Sequence, residues 1–184
     1  DGTTAATQSH SLDARKEEAA AELPGIGVEE GVVIIAGFGR VGQLVARLLD
    51  RANVRWVAIE RHVAAAAEHH AQGRPVIVGD AGRPALLHHL GAGRARAVVV
   101  TMDDMAAARH VVRSLRAEFP ARPLIARARD AVHASELMAA GASEVIPEAL
   151  EAALQMGVHV LDRVGIDADT GARLIDSERA AGSA

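Results

Sequence analysis

Three glycines at fixed spacing carry the clearest chemistry in this chain. Gly37, Gly39 and Gly42 fit G-x-G-x-x-G within Gly37-Phe38-Gly39-Arg40-Val41-Gly42. The pattern permits a tight turn at Gly37, lets backbone approach a pyrophosphate at Gly39, and lets a helix pack close on a strand at Gly42. The helix that follows offers free N–H groups and a positive dipole end, so the amides from Phe38 to Val41 are the expected phosphate cradle. Glu60 ends a second apolar run, Val54 to Ile59. It lies about 20 residues past the glycines, where a carboxylate can accept both hydroxyls of an adenosine ribose. The same charge repels a 2′-phosphate, which favours NAD or adenosine nucleotides over NADP. In isolation Glu60 would read as a surface acid at a strand end; its place after this loop favours the ligand.

Further polar groups fall in loops after apolar runs. Asp80 and Ala81 follow Val76-Ile77-Val78-Gly79. Asp80 is read as a ligand contact, from its loop's place at the expected cleft, or as a turn-forming residue. Thr101, Met102, Asp103 and Asp104 are placed to touch ribose or phosphate, or to cap the next helix. Arg127 and Arg129 alternate with alanines, so both point the same way from a strand. Two guanidiniums on one face suit an anion or a carboxylate partner, and Asp130 is a candidate for that partner.

These groups need a scaffold that brings loop ends together. Strand-like runs occupy Val32–Ala36, Arg55–Ile59, Val76–Val78, Ala97–Thr101, Leu124–Ala128 and Glu144–Ile146. Helical patterns lie between them over Val41–Arg51, His62–Gln72, Arg83–Leu90, Met105–Glu118 and Val132–Ala140. On the first helix, Val41, Leu44, Val45, Leu48 and Leu49 are expected to share the buried side. The alternation predicts an α/β fold, a Rossmann-like, doubly wound, parallel six-stranded sheet with right-handed crossovers. Its cleft should lie at the carboxyl ends of the strands, where five loops, including Glu60-Arg61-His62, would ring one crevice. Residues 31–147 would form this nucleotide-binding domain.

Outside it, residues 1–30 read as a linker with a short exposed helix over Leu12–Leu23, broken at Pro24-Gly25-Ile26-Gly27. After Ile146 a helix over Ala149–Val164 shows a broad apolar face through Leu150, Leu154, Met156, Gly157, Val160 and Leu161. That face is expected to pack on its own sheet or to form a dimer interface. Residues 165–184 read as a weakly ordered tail with a short pattern at Ala172–Ser177.

Composition removes several classes of function. The chain has 184 residues, 49% hydrophobic and 24% charged, which suits one compact domain plus tails. Its net charge of −4 and 2% aromatic content argue against a nucleic-acid partner. With no cysteine there is no disulfide, zinc–thiolate site or thiol catalysis. No stretch is apolar enough to span a membrane, and the polar start, without Met, reads as a cut from a longer chain. The nine histidines include adjacent pairs, His69-His70 and His88-His89, that cannot share a helix face, so they are read as surface residues and no metal is expected. No nucleophile elbow occurs.

The motifs resemble those of the cytoplasmic nucleotide-binding domain, of the RCK/TrkA-N kind, of Kef-type potassium/proton antiporters. The resemblance rests on Ile34-Ile35-Ala36-Gly37-Phe38-Gly39-Arg40-Val41-Gly42-Gln43, Gly79-Asp80-Ala81, Asp103-Asp104, Ile125-Ala126-Arg127-Ala128-Arg129-Asp130 and Ala140-Gly141, in family order over roughly Val32 to Val164. It implies a regulator that is not an enzyme. It further implies AMP or NAD(H) in the cleft, a homodimer built on the helix after the sixth strand (residues 148–164), and a covalently attached transmembrane antiporter at the cytoplasmic face of a bacterial inner membrane. Some members are also held shut by glutathione through basic residues. Here Glu136 and Met138 stand where those are expected, which argues against glutathione control. The competing readings are a stand-alone Trk-type potassium-uptake subunit and an NAD-dependent oxidoreductase domain. The latter would need a substrate domain that the chain after Ile146 is too short to supply.

Overall fold

The computed structural model describes residues 31–182. The expected helix over Leu12–Leu23 and the break at Pro24-Gly25-Ile26-Gly27 lie outside the described residues. Six strands form one sheet: β1 (Val33–Ala36), β2 (Trp56–Glu60), β3 (Val76–Val78), β4 (Ala97–Val100), β5 (Leu124–Ala128) and β6 (Glu144–Pro147). All pair in parallel, in the order β3-β2-β1-β4-β5-β6. The doubly wound α/β expectation holds, with each boundary within a residue or so of its sequence pattern. The strand order reverses between β1 and β4, and their carboxyl ends open the crevice such sheets offer to ligands.

The central strands are apolar on both faces because helices cover both. On one face Ile34, Ala36, Val57, Ile59, Val98 and Val100 pack with helices α4 (Met105–Glu118) and α5 (Ala131–Ala140), through Val111, Val112, Leu115 and Leu137. On the other, Val33, Ile35, Trp56 and Ala58 pack against α1 (Arg40–Arg51) and α2 (Val63–Ala71), through Ala46 and Ala66. Burying each large aliphatic side chain contributes about 1.5–3 kcal/mol, so a two-sided sheet anchors the loop ends firmly. A short helix, α3 (Pro84–His89), and a 3₁₀ turn (Ala92–Arg94) complete this unit.

The buried side of α1 is narrower than its pattern predicts. Gly42 and Ala46 are buried and Val45 and Leu49 pack beside them, while Leu44 and Leu48 are 50% and 57% exposed. The small residues let the helix axis approach the sheet, so the contact line runs through 42, 45, 46 and 49. Leu44 and Leu48 then fall beyond the edge of the contact.

The carboxyl end departs from expectation. After α6 (Glu148–Arg163) the chain forms a further helix, α7 (Ala168–Gly182), where a weakly ordered tail is predicted. Asp167 caps it by accepting from the Thr170 N–H at 2.9 Å. Arg179 reaches back to Glu151 of α6 at 3.0 Å. Gly157 lets the two helices approach, since a Cβ there would sit 3.2 Å from Ile175. The apolar face of α6 is therefore divided. Leu154 is buried within the chain, whereas Met156, Val160 and Val164 are 69%, 58% and 67% exposed.

Candidate functional site

The glycine loop is held from both sides. Gly37 has φ +96°, a left-handed conformation natural to glycine, and Gly39 is the residue before the first turn of α1. A Cβ at Gly42 would overlap the Gly37 carbonyl oxygen and come within 3.0 Å of Thr101 Oγ1. A Cβ at Gly39 would meet nothing within 4 Å. The two glycines thus serve different ends: Gly42 permits packing, and Gly39 opens the loop surface. Just past β4, the buried Thr101 hydroxyl donates to the Gly37 carbonyl at 2.8 Å. The Phe38 ring anchors the loop below, stacked on Trp56 at 5.3 Å and edge-on to His69 at 4.8 Å. Thr101→Val keeps the shape and deletes one hydrogen bond; it should lower stability by about 0.5–1.5 kcal/mol, read by denaturant unfolding.

Glu60 is bound to this loop directly. One carboxylate oxygen accepts the Phe38 N–H at 3.0 Å; the other accepts the His62 N–H at 2.9 Å and faces His62 Nδ1 at 2.9 Å. Burial works to raise this carboxyl, but the His62 and Phe38 amides and the His62 ring outweigh it, so its pKa lies below the ordinary 4.5. The sign follows for stability. The contribution is complete above the unfolded-state value and disappears as pH falls through the lower folded value. Thermal melts from pH 7 to pH 3 should lose less stability in Glu60→Gln than in the wild type.

The Phe38 amide is therefore occupied, and the open donors of the loop are those of Gly39, Arg40 and Val41. They span the N-cap and first residues of α1, where N–H groups have no intrahelical acceptor and no side chain caps them.

The remaining expected site residues separate by position. Asp80, in the loop after β3, forms a turn by accepting the Gly82 N–H at 2.8 Å, and Ala81 is a core residue. Arg61, beside Glu60, is exposed. On the other side of the glycine loop a cavity of about 220 Å³ is lined by Arg40, Met102, Asp103, Arg127, Arg129 and His133. Arg127 of β5 and Arg129 just past its end both line this space, as their alternation predicts. Neither Glu60 nor Asp80 lines it; Glu60 ends β2 and Asp80 follows β3, on the other side of β1 from β4 and β5.

Arg127 joins three loops. It pairs with Asp103 and with Glu148, its Nε donating to Glu148 at 2.7 Å. Burial alone opposes the guanidinium charge, and the two carboxylates more than offset it. The Arg127 hydrogen bond and charge hold the Asp103 carboxyl below its usual range. Asp130, expected beside an arginine, instead caps α5 by accepting the His133 N–H at 2.9 Å, and Asp104 caps α4 through the Ala107 N–H at 2.9 Å. Capping a terminus three residues away needs less ordering than reaching an arginine, and it satisfies an amide that has no other acceptor.

His133 was expected at the surface and is 2% exposed. Its spacing to Leu137, four residues on and fully buried, is the sequence signal that it lies on the inward face of α5. Among the described residues no group of three or more His, Cys, Asp or Glu could hold a metal. Glu136, expected where glutathione-gated members carry a basic residue, pairs with Arg109 at 3.0 Å.

The family model of the TrkA-N domain matches residues 33–148, from the first residue of β1 to the first of α6. The chain belongs to the TrkA-N domain family. A K(+) efflux antiporter KefB of Alkalimonas amylolytica is 36% identical over 147 residues, which take in 80% of this chain and 22% of the relative. K(+) efflux antiporter 1, chloroplastic, of Arabidopsis thaliana is 41% identical over 132 residues, 72% of this chain and 11% of the relative. The TrkA-N chain therefore spans about a fifth or less of these relatives' length. Among solved structures, the Kef CTD of Shewanella denitrificans in AMP bound form is similar with a TM-score of 0.68 at 29% identity, covering 79% of this chain and 89% of that one. No helix among the described residues is long and apolar enough to cross a membrane.

Proposed function

We propose that this TrkA-N domain is the cytoplasmic regulatory part of a potassium/proton antiporter, binding AMP or NAD(H) in the cleft and gating the attached membrane part. One observation carries the reading. Glu60 is fixed to the glycine loop through the Phe38 N–H at 3.0 Å, so an acidic ribose acceptor and three open phosphate donors are held in one rigid turn. The AMP-bound Kef relative supports the adenine nucleotide. Antiporter relatives that carry the match within far longer chains favour a fused domain over a stand-alone subunit or an oxidoreductase.

The chain's own residues define the binding step. The exposed His62 ring would leave Glu60, and the ribose hydroxyls would take up its vacant acceptor sites. A carboxylate accepts up to about four hydrogen bonds, so the Phe38 tether can persist. The phosphate would meet the amides of Gly39, Arg40 and Val41 at the start of α1. Arg127 would carry occupancy outward, because its partner Glu148 is the first residue of α6. The exposed stripe of α6 would form a two-fold homodimer, and nucleotide would shift one protomer against the other. The size of that coupling equals the ligand's differential affinity for the two geometries.

Calorimetric titration with AMP, NADH, NAD, ATP and NADPH tests the reading. AMP or NADH should bind, and NADPH should bind more weakly because its 2′-phosphate faces Glu60. Glu60→Ala should weaken AMP by about 1–3 kcal/mol, the cost of losing hydrogen bonds to a charged group. Unchanged affinity in that variant would remove Glu60 from the site.

A further inference from the structure

Glu60 has fewer open acceptor positions than a ribose requires. A carboxylate accepts up to about four hydrogen bonds. In Glu60 three are engaged: by the Phe38 N–H at 3.0 Å, by the His62 N–H at 2.9 Å, and by the His62 ring, whose Nδ1 stands 2.9 Å from Oε1. The paired hydroxyls of an adenosine ribose need two positions. The two amides belong to the backbone of the turn and stay in place. The ring is the removable partner, because it sits on a side chain that is 87% exposed.

Removing the ring costs different amounts in its two protonation states. A neutral imidazole can keep its one proton on Nε2; Nδ1 then has no hydrogen to offer, and the ring leaves the carboxylate easily. An imidazolium carries a proton on both nitrogens, so Nδ1–H always donates, and the bond joins opposite charges. Such charge-assisted bonds are roughly twice as strong as neutral ones. Histidine is the side chain that changes between these states from about pH 5 to about pH 8. Glu60 stays ionised over that range, since its carboxyl is held below the ordinary 4.5. The other charged and titratable groups on the segments around the turn are Arg61 beside the ring, Arg40 after the glycine loop, Asp80 after β3, and Glu68, His69 and His70 on α2. They set the background field, while the ring makes its ion pair with Glu60.

We propose that His62 is a proton-sensitive gate on the nucleotide site: its protonated ring holds Glu60 against the ribose, and an adenine nucleotide binds with release of that proton. The proposal rests on the nucleotide reading above and deepens it. Acidification then empties the site without any change in nucleotide concentration. The sign follows from the linkage, because a ligand that expels a proton binds more tightly as pH rises.

The test is calorimetry on the 184-residue chain with NAD from pH 8 to pH 5.5, in two buffers of different ionisation enthalpy. NAD is the probe because a phosphomonoester such as AMP itself titrates near about pH 6. Adenosine, which carries no phosphate, is the second probe. In the wild type the affinity for either should fall about tenfold across this range, with about one proton released per ligand bound at its acidic end. His62→Ala keeps the backbone amide and removes no cap, since the His62 side chain makes no capping bond to α2. In that variant the pH dependence should shrink to about twofold or less, and the buffer dependence should vanish. Affinity that is flat with pH in the wild type, or that rises on acidification, would overturn the gate and leave the nucleotide reading intact. A fall that persists undiminished in His62→Ala would also overturn it. Binding of neither NAD, AMP nor adenosine at any pH would overturn both.

Discussion

Gly39→Val is expected to fold like the wild type and to lose nucleotide binding. The structure separates it sharply from its neighbour. A side chain at Gly39 meets open space, because nothing lies within 4 Å of its Cβ, and its φ of −71° suits any residue. The branched side chain would instead occupy the surface where phosphate must approach the amides of Arg40 and Val41. A small loss of stability follows from placing Val just before a helix, about 1 kcal/mol. Gly42→Val should do the opposite. Its Cβ would overlap the carbonyl of Gly37, a backbone atom that Thr101 and the loop hold in place. Overpacking of that kind typically costs about 1–3 kcal/mol, and α1 would have to lift from the sheet. Unfolding midpoints and AMP titrations on both variants check the contrast. Normal AMP affinity in a folded Gly39→Val would show that the loop is not a phosphate cradle.

The contrast marks how much a sequence reveals of such a site. Val/Ile runs ending in Gly or polar residues specified the sheet, because buried parallel strands are apolar on both faces and need no partner information. Arg127 and Arg129 could be placed in one space from strand alternation alone. The partners of those residues could not. Arg127 chose Asp103 and Glu148, 24 and 21 residues away, and Asp130 turned to a local amide. The tie between Glu60 and the Phe38 amide runs through a backbone group, which has no sequence signature. His133 was hidden because a histidine on a helix reads as polar, whereas its four-residue spacing to Leu137 places it inward. Helix α7 was missed for a related reason. None of its residues is fully buried, and what holds it is tertiary: Arg179 on Glu151, and Ile175 over Gly157.

The assembly carries the other large effect, and α7 changes how it must be tested. Leu154, which the sequence places at the centre of a dimer face, is 6% exposed within the single chain. A charge there would damage the fold and say nothing about a partner. The residues free to meet a second copy are Met156 and Val160 on α6 and Val164 at its C-cap, spaced four apart along one stripe. Such a stripe on an isolated helix hairpin is an unfavourable surface for a monomer, and a two-fold axis lets it cover itself. Light scattering should therefore give twice the chain mass at micromolar concentration. Met156→Glu with Val160→Glu should yield a monomer whose unfolding midpoint barely moves in a dilute sample, since neither side chain is packed intramolecularly. Burying two unpaired carboxylates at an apolar interface would cost several kcal/mol, more than a thousandfold in dissociation constant. Under the proposed function, the same double variant placed in a full-length antiporter should uncouple nucleotide from ion flux, because Glu148 would still receive Arg127 but α6 would have no partner to move against. A wild type that runs as a monomer, with the double variant still regulated by nucleotide, would return the stripe to plain exposed surface and place the regulatory motion within one chain.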